Sequence, residues 1–134
     1  MNKKIMIVDD EEDILNSLKV LLERQNFEVI TVTNGLDCLD KLEEGFKGVI
    51  LMDLMMPEKD GWEVIKEIVE RGLTDEVGIE IITGKGTKDN ERMSLLGSYI
   101  FDYHTKPIDV KKLVNSVEKC YNDLNNRVKM QKLT

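Results

Sequence analysis

Apolar segments and amphipathic segments alternate five times along this sequence, and the alternation predicts an α/β fold. The architecture that fits is a doubly wound sheet of five parallel strands in the order 2-1-3-4-5, with helices on both faces. Strands are expected at about 4–8, 28–32, 48–52, 78–83 and 100–104, and helices at about 11–25, 35–44, 60–71, 88–97 and 109–126. A chain of 134 residues with 41% hydrophobic residues suits one domain with its own core.

Each strand prediction rests on a short apolar run bounded by turn residues. The first and third runs, 4–8 and 48–52, are almost continuously apolar, which is typical of parallel strands that are buried on both faces. Each helix prediction rests on apolar residues that recur every three or four positions and so share one face. In the first and last helices these residues are Ile14, Leu18, Leu21 and Leu22, and Val110, Leu113, Val114, Val117, Tyr121 and Leu124.

Composition argues against several classes of function. The net charge of −7 disfavours a nucleic-acid-binding surface, because such a surface needs clustered lysine and arginine. The sequence contains no apolar stretch of the roughly 20 residues that would span a membrane. The short strand that follows its first residues is too short for the apolar region of a signal peptide. We interpret the two cysteines, Cys38 and Cys120, as reduced packing residues of a cytoplasmic protein.

Acidic side chains follow two of the predicted strands. Asp9 and Asp10 follow the first strand and Asp53 follows the third, and these strands are neighbours at the point where the chain order reverses, which is where such sheets bind ligands. Three carboxylates that meet there repel one another, and a hard divalent cation such as Mg²⁺ relieves the repulsion. We expect Asp10 and Asp53 as direct ligands, Asp9 as a direct or water-mediated ligand, and the backbone carbonyl of Met55 as a further ligand.

An alternative role for Asp9 and Asp10 is to cap the helix that begins near Glu11. Acidic residues are favoured there by capping and by the helix dipole. A cap accounts for one acid but not for a pair that faces Asp53 across the sheet, and so we favour the cation site.

Thr83 and Lys106 follow the fourth and fifth strands and complete a site suited to a phosphoryl group. Asp53 can act as a nucleophile, since aspartyl-phosphate formation is an established covalent route. Transfer requires neutralisation of charge on the phosphoryl oxygens. The cation, the Lys106 ammonium, and the Thr83 hydroxyl with backbone amides near residues 54, 55 and 84 would supply it. A cis bond before Pro107 would make a tight turn that could aim the lysine inward.

Motifs at the ends of these strands resemble the receiver domain of two-component response regulators, and the whole set is specific in its order and spacing. They are Ile7–Glu11, Met52–Pro57 with Gly61, Thr83-Gly84 and Lys106-Pro107. The resemblance runs from Lys4 to about Leu124. It implies a flavodoxin-like (βα)5 receiver domain over residues 1–124, followed by a tail at 125–134.

The resemblance implies that Asp53 accepts a phosphoryl group from the phosphohistidine of a sensor histidine kinase or a histidine phosphotransfer protein. It implies Mg²⁺ at Asp10 and Asp53, Lys106 as the phosphate partner and Thr83 as the switch hydroxyl. Tyr103 would be the aromatic residue that rotates inward on activation. In the resting state its ring could instead cover apolar surface at the edge strand.

Activation would then repack the loop 84–88 and change the face formed by helix 88–97, strand 100–104 and helix 109–121. We expect a downstream protein to bind that face, and the resemblance leaves open a homodimer on phosphorylation. We do not expect an enzyme acting on other substrates, only a chain that catalyses its own phosphorylation and slow dephosphorylation. The dephosphorylation should be slow because an apolar Met55 cannot orient an attacking water.

Four features are unusual for such a domain. Glu80 stands in the fourth strand where an apolar residue is expected, and an unpaired buried carboxylate is costly, so it either lies near the strand start or has a partner. The segment 97–102 is bulkier than the usual pattern, and we expect it to be longer. His104, the only histidine, is expected to be exposed at a strand end. The tail at 125–134 either extends the last helix, pairs with another copy or frays.

Two other functions compete with this interpretation. One is a phosphorylation-independent adaptor that keeps only the fold. The other is a phosphatase of the haloacid dehalogenase type, which also uses Mg²⁺, threonine and lysine. That class expects a second acid two residues after its nucleophile, and Met55 occupies the position here.

Overall fold

The computed structural model describes residues 3–84 and 89–133, and it confirms the predicted fold class. Five parallel strands lie in the order β2-β1-β3-β4-β5. The strands are β1 (Lys3–Val8), β2 (Phe27–Val32), β3 (Gly48–Asp53), β4 (Val77–Thr83) and β5 (Ile100–Thr105). The helices are α1 (Glu12–Arg24), α2 (Gly35–Glu43), α3 (Gly61–Glu70), α4 (Asn90–Leu96) and α5 (Val110–Leu133). The predicted helix start at 88 and all but the first residue of the predicted loop 84–88 lie outside the described residues.

The sheet separates two apolar cores, because successive side chains of a strand point to opposite faces. Met6 and Val8 of β1 face the core that holds α2 and α3. Ile5 and Ile7 face the core that holds α1 and α5. Helices therefore cover both faces, and every residue of the central strand β3 is buried.

The start of α3 is fixed by reciprocal hydrogen bonds at its first turn. The Glu63 N–H donates to Asp60 Oδ1 at 2.9 Å, and the Asp60 N–H donates to Glu63 Oε1 at 3.2 Å. This capping box satisfies two backbone donors at the helix start. The capping box fixes the start of α3, and so it also fixes the end of the loop that follows Asp53.

The pairing of β4 with the edge strand β5 contains a register shift. Ile79 pairs with Ile100 and Glu80 pairs with Asp102, so Phe101 is an extra residue in β5. A one-turn 3-10 helix at Gly97–Tyr99 precedes the strand. Bulges of this kind re-aim side chains and are rare between parallel strands. The bulky segment 97–102 noted in the sequence is thus accommodated by a turn and an extra residue in the strand.

Helix α5 continues to Leu133, and its last buried residue is Leu124. Residues 125–133 are therefore helical, and the boundary of the receiver domain at 124 stays a prediction. Cys38 and Cys120 are both free and buried, and burial raises the pKa of each thiol to about 12. Within residues 3–84 and 89–133, no helix combines the length and the apolar character needed to cross a bilayer.

Candidate functional site

The carboxyl ends of β1 and β3 bring the three predicted acids together. The two strands are neighbours, with Val8 opposite Met52. Asp9, Asp10 and Asp53 each place one carboxylate oxygen within 4.8 Å of the others. Asp9 and Asp53 are buried while Asp10 is exposed, and so this acidic cluster opens to solvent on the side of Asp10.

Local backbone groups hold the two buried carboxylates. The Glu11 N–H donates to Asp9 Oδ1 at 2.9 Å, and the Met55 N–H donates to Asp53 Oδ1 at 3.0 Å. The N-cap residue of α1 is Glu11 rather than Asp9 or Asp10. Helix capping therefore does not explain the two acids, and the alternative role considered from the sequence is wrong.

Lys106 reaches this acidic cluster from the end of β5. Its ammonium nitrogen lies 3.0 Å from Asp9 Oδ2, 3.3 Å from Glu11 Oε1 and 3.6 Å from Asp53 Oδ2. The Lys106 N–H donates to the Thr83 carbonyl at 2.7 Å, and the bond to Pro107 is cis. The structure thus brings together the lysine and two of the three predicted acids.

Burial and charge set the protonation of the site. Burial raises the pKa of Asp53 to about 6, and the neighbouring Asp9 adds to the rise, while the Met55 N–H and Lys106 oppose it. For Lys106, burial alone would lower the pKa, but hydrogen bonding to Asp9 and the charge of Asp53 outweigh it and the pKa is raised. One ammonium does not neutralise this acidic cluster.

The donor set fits a hard divalent cation. The three side chains offer only carboxylate oxygens, which are the ligands that Mg²⁺ prefers, and the exposed Asp10 leaves room for its waters. The role of the Met55 backbone carbonyl as a further ligand stays a prediction. The side chain of Met55 is exposed, and its N–H is already engaged by Asp53.

The two residues predicted to switch, Thr83 and Tyr103, lie on the neighbouring strands β4 and β5. Thr83 is the last residue of β4, is buried, and pairs with Thr105 of β5. The half-buried Tyr103 ring packs against the core that holds α2 and α3. Its hydroxyl is shielded from solvent and has no hydrogen-bond partner within the described part of the chain. Covering apolar surface is thus one role of this ring, and its rotation on activation stays a prediction.

Gly61 supports the site by allowing α3 to approach the end of β3. A Cβ atom at this position would lie 2.4 Å from the Asp53 carbonyl oxygen and 2.8 Å from Leu54 Cα. The Gly61 N–H donates to the Leu54 carbonyl at 3.1 Å. The sequence marked Gly61 only as part of a motif, and the close backbone contact supplies the physical reason for it.

A second polar group lies between β4, β5 and α5, and we call it the Glu80 cluster: Glu80, Asp102, His104 and Ser116. His104 Nε2 lies 2.7 Å from Glu80 Oε1, and Ser116 Oγ lies 2.6 Å from that same oxygen and 2.7 Å from Asp102 Oδ2. Glu80 is fully buried in mid-strand and has partners, which answers the question left by the sequence. The expectation that His104 is exposed is wrong, because its side chain is only 9% exposed.

Sequence reasoning did not connect these four residues. Ser116 lies on the apolar face of α5, three residues after Leu113, and a single serine there carries no signal by itself. In the sequence, the acidic Glu80 within a strand and the bulky segment 97–102 are two unrelated features. The extra residue at Phe101 joins them, because it places Asp102 opposite Glu80.

Comparison with known proteins agrees with this geometry. A family model described as the response regulator receiver domain matches residues 5–118. The chain is similar to the alkaline phosphatase synthesis transcriptional regulatory protein PhoP of Bacillus subtilis (strain 168), with 38% identity over 114 residues that cover 84% of this chain and 46% of that protein. It is similar to the transcriptional regulatory protein SrrA of Staphylococcus aureus (strain NCTC 8325 / PS 47), with 36% identity over 88% of this chain and 47% of that protein.

Solved structures give the same result. The response regulator receiver domain protein (CheY-like) from Methanospirillum hungatei JF-1 superposes with a TM-score of 0.86 and 35% identity, covering 92% of this chain and 98% of that one. A response regulator receiver domain protein from Clostridium thermocellum superposes with a TM-score of 0.80 and 28% identity, covering 96% and 98%. The chain spans about half the length of the curated relatives it matches.

Proposed function

The chain belongs to the response regulator receiver family, and on that premise we propose that Asp53 accepts a phosphoryl group from a phosphohistidine, with Mg²⁺ held by Asp9, Asp10 and Asp53. The donor would be a sensor histidine kinase or a histidine phosphotransfer protein. The observation that supports this most strongly is the meeting of the three acids with Lys106 at one end of the sheet.

The two carboxylate oxygens of Asp53 have different surroundings. Oδ1 accepts the Met55 N–H, while Oδ2 faces the Lys106 ammonium at 3.6 Å. An Asp53 oxygen forms the new bond to phosphorus as the phosphorus–nitrogen bond breaks, and the imidazole leaves with the electron pair. The transferred oxygens carry negative charge, and Lys106 is placed to neutralise one of them. A bound Mg²⁺ would supply further neutralisation of the same charge.

The Thr83 hydroxyl and the Tyr103 ring would transmit the change. The phosphoryl group brings negative charge and three strong acceptors to the end of β3, and the Thr83 hydroxyl at the end of β4 would donate to one of them. Tyr103 would then move inward. The partner surface in this proposal is formed by α4, β5 and α5. Its exposed apolar residues Leu95, Tyr99 and Phe101 suit a downstream protein or a second copy of the chain.

We assign to this chain only the receiving step and the switch. It would catalyse its own phosphorylation and slow dephosphorylation, the latter because the exposed Met55 offers no group to orient water. Two relatives are named as transcriptional regulatory proteins, but this chain covers about half of each, so we assign no output. The two free thiols favour a reducing compartment, and we expect the cytoplasm.

Intact-mass measurement with a small phosphodonor tests the proposal. The protein is incubated with acetyl phosphate, with and without Mg²⁺, beside Asp53→Asn and the exposed control Asp40→Asn. We expect one added phosphoryl group on the wild type and on Asp40→Asn in the presence of Mg²⁺, and none on Asp53→Asn or without the cation. A folded wild type that gains no phosphoryl group would support the adaptor alternative. In a parallel assay with a small phosphate ester, hydrolysis of many equivalents would support the phosphatase alternative.

A further inference from the structure

We propose that Glu80, Asp102 and His104 form a second cation site, which takes a divalent transition metal such as Zn²⁺ in preference to Mg²⁺. The site lies between β4, β5 and α5, away from the acidic cluster at the ends of β1 and β3. It is independent of the function proposed above.

The three side chains are already close enough to share one ion. Each offers a ligand atom within 4.8 Å of the others. His104 Nε2 lies 2.7 Å from Glu80 Oε1 and 3.8 Å from Asp102 Oδ2. Zinc is bound by histidine nitrogen and carboxylate oxygen at about 2.0–2.2 Å in a tetrahedral arrangement. Small side-chain movements would therefore bring all three ligands to one ion, with water in the fourth position.

The hydrogen bonds of the Glu80 cluster leave its carboxylates short of donors. Three short contacts join Glu80, His104, Ser116 and Asp102, yet the serine hydroxyl lies within reach of both carboxylates and can donate only one proton. Glu80 is fully buried, and its Oε2 has no hydrogen-bond partner among the residues the structure describes. A buried carboxylate with an unpaired oxygen is costly. A cation bound by this carboxylate would satisfy it.

The types of ligand determine which cation fits. Imidazole nitrogen suits Zn²⁺ and its transition-metal neighbours, whereas Mg²⁺ strongly prefers oxygen ligands. Asp102 is half exposed, with 47% of its side chain accessible, so an ion and a water can reach the buried pair from that side. Ser116 would remain beside the carboxylates as a hydrogen-bond donor that orients them, a role that outer residues of metal sites commonly have.

The local fold favours this assignment over a chance grouping. Asp102 faces Glu80 only because Phe101 is an extra residue in β5. Asp102 Oδ1 in turn accepts the Tyr103 N–H at 2.7 Å, which fixes the orientation of its carboxylate. A metal here would join β4 to the edge strand β5, which carries Tyr103 and ends just before Lys106.

Nuclear magnetic resonance of the imidazole ring tests the site directly, because His104 is the only histidine in the chain. Zn²⁺ is titrated into the protein while the His104 ring resonances are recorded, and Mg²⁺ is titrated in a parallel sample. We expect the ring resonances to move to an end point at one equivalent of Zn²⁺ and to stay in place with millimolar Mg²⁺. Asp53→Asn, which alters the other acidic cluster, should leave the Zn²⁺ response of His104 unchanged.

Two variants decide whether the neighbouring acids are ligands. Asp102→Asn changes a half-exposed side chain and should fold, and Glu80→Gln keeps the shape of the buried one. Each should weaken Zn²⁺ binding at His104 at least about tenfold, the smaller end of the loss seen even for outer residues of metal sites. The proposal is overturned if Zn²⁺ binds without moving the His104 resonances, if they stay unmoved up to millimolar Zn²⁺, or if Asp102→Asn binds like the wild type.

Discussion

The Lys106 ammonium lies closer to Asp9 Oδ2, at 3.0 Å, than to Asp53 Oδ2, at 3.6 Å. The lysine is thus hydrogen-bonded to the fully buried Asp9, and it contributes to Asp53 mainly through its charge. Asp53 is the less neutralised of the two buried acids in this arrangement. A phosphoryl group on Asp53 would attract the ammonium away from Asp9.

Replacing Lys106 with methionine should raise the pKa of Asp53 above its value of about 6, because the lysine charge is one of the two influences that hold it down. The carboxyl carbon resonance of Asp53, followed against pH in the absence of divalent cations, reports that pKa. Lys66→Met, which removes a lysine exposed on α3, is the matched control. Equal pKa values in Lys106→Met and the wild type would show that the ammonium does not act on Asp53.

Asp53→Asn should stabilise the protein, and the gain should depend on pH. The pKa of Asp53 is about 6 in the folded chain against 3.8 for an ordinary aspartate. The folded wild type therefore binds more protons between these values, and its free energy of unfolding falls as pH rises through the window. The advantage of Asp53→Asn should be small below pH ~4 and level off above pH ~6, at no more than about 3 kcal/mol.

Urea unfolding without divalent cations at several pH values measures this difference. Asp40→Asn, at an exposed position on α2, should show no such trend. A constant difference between Asp53→Asn and wild type from pH 4 to pH 7 would contradict the raised pKa.

Asp10→Asn should weaken Mg²⁺ binding without loss of fold. Asp10 is exposed, and of the three acids it alone lies on the open side of the cluster, so its charge can be removed without leaving a buried partner unpaired. We expect at least about a tenfold rise in the dissociation constant, which corresponds to ~1.4 kcal/mol. Calorimetric titration with Mg²⁺ measures it, with Asp13→Asn on α1 as the control, and unaltered affinity would remove Asp10 from the ligand set.

Gly61→Ala should disturb the position of Asp53, although Gly61 is not itself one of the proposed site residues. The new methyl group would lie 2.4 Å from the Asp53 carbonyl oxygen, so α3 or the chain after β3 must shift, at a cost of about 1–3 kcal/mol. We expect slower phosphorylation of Asp53 together with lower stability in urea. Gly97→Ala serves for comparison, because its methyl group would meet only Met93 Cε at 3.6 Å; similar behaviour of the two variants would argue against the contact.

The buried pair Glu80 and His104 should show strong coupling in a double-mutant cycle. His104→Leu leaves the fully buried Glu80 carboxylate without its 2.7 Å partner, and breaking a buried pair in this way costs about 3–5 kcal/mol. Replacing both residues with leucine should recover most of that loss, since apolar replacement of a buried pair is often neutral. Unfolding in urea of the two single variants and the double variant gives the coupling energy, and additive losses would contradict the expectation.

The strand order and the meeting of Asp9, Asp10, Asp53 and Lys106 at one end of the sheet followed from the sequence because they depend on short-range patterns. Apolar runs such as 48–52 indicate a buried strand, and the position of Asp53 at the end of such a run already places it at the ligand-binding edge. The arrangement around Glu80 did not follow. It depends on the extra residue at Phe101 and on a serine of α5, and neither tertiary contact leaves a periodic signal in the chain.

The burial of His104 also limits where a phosphoryl group could go after it reaches Asp53. Onward transfer to histidine requires an imidazole that can approach the aspartyl phosphate, and the one imidazole of these 134 residues is 9% exposed and held against Glu80. No histidine of this sequence can take the group back from its own aspartate. On the proposed function, phosphoryl flow beyond Asp53 therefore ends in water or on a residue outside these 134, and the lifetime of the signal depends on what this chain meets.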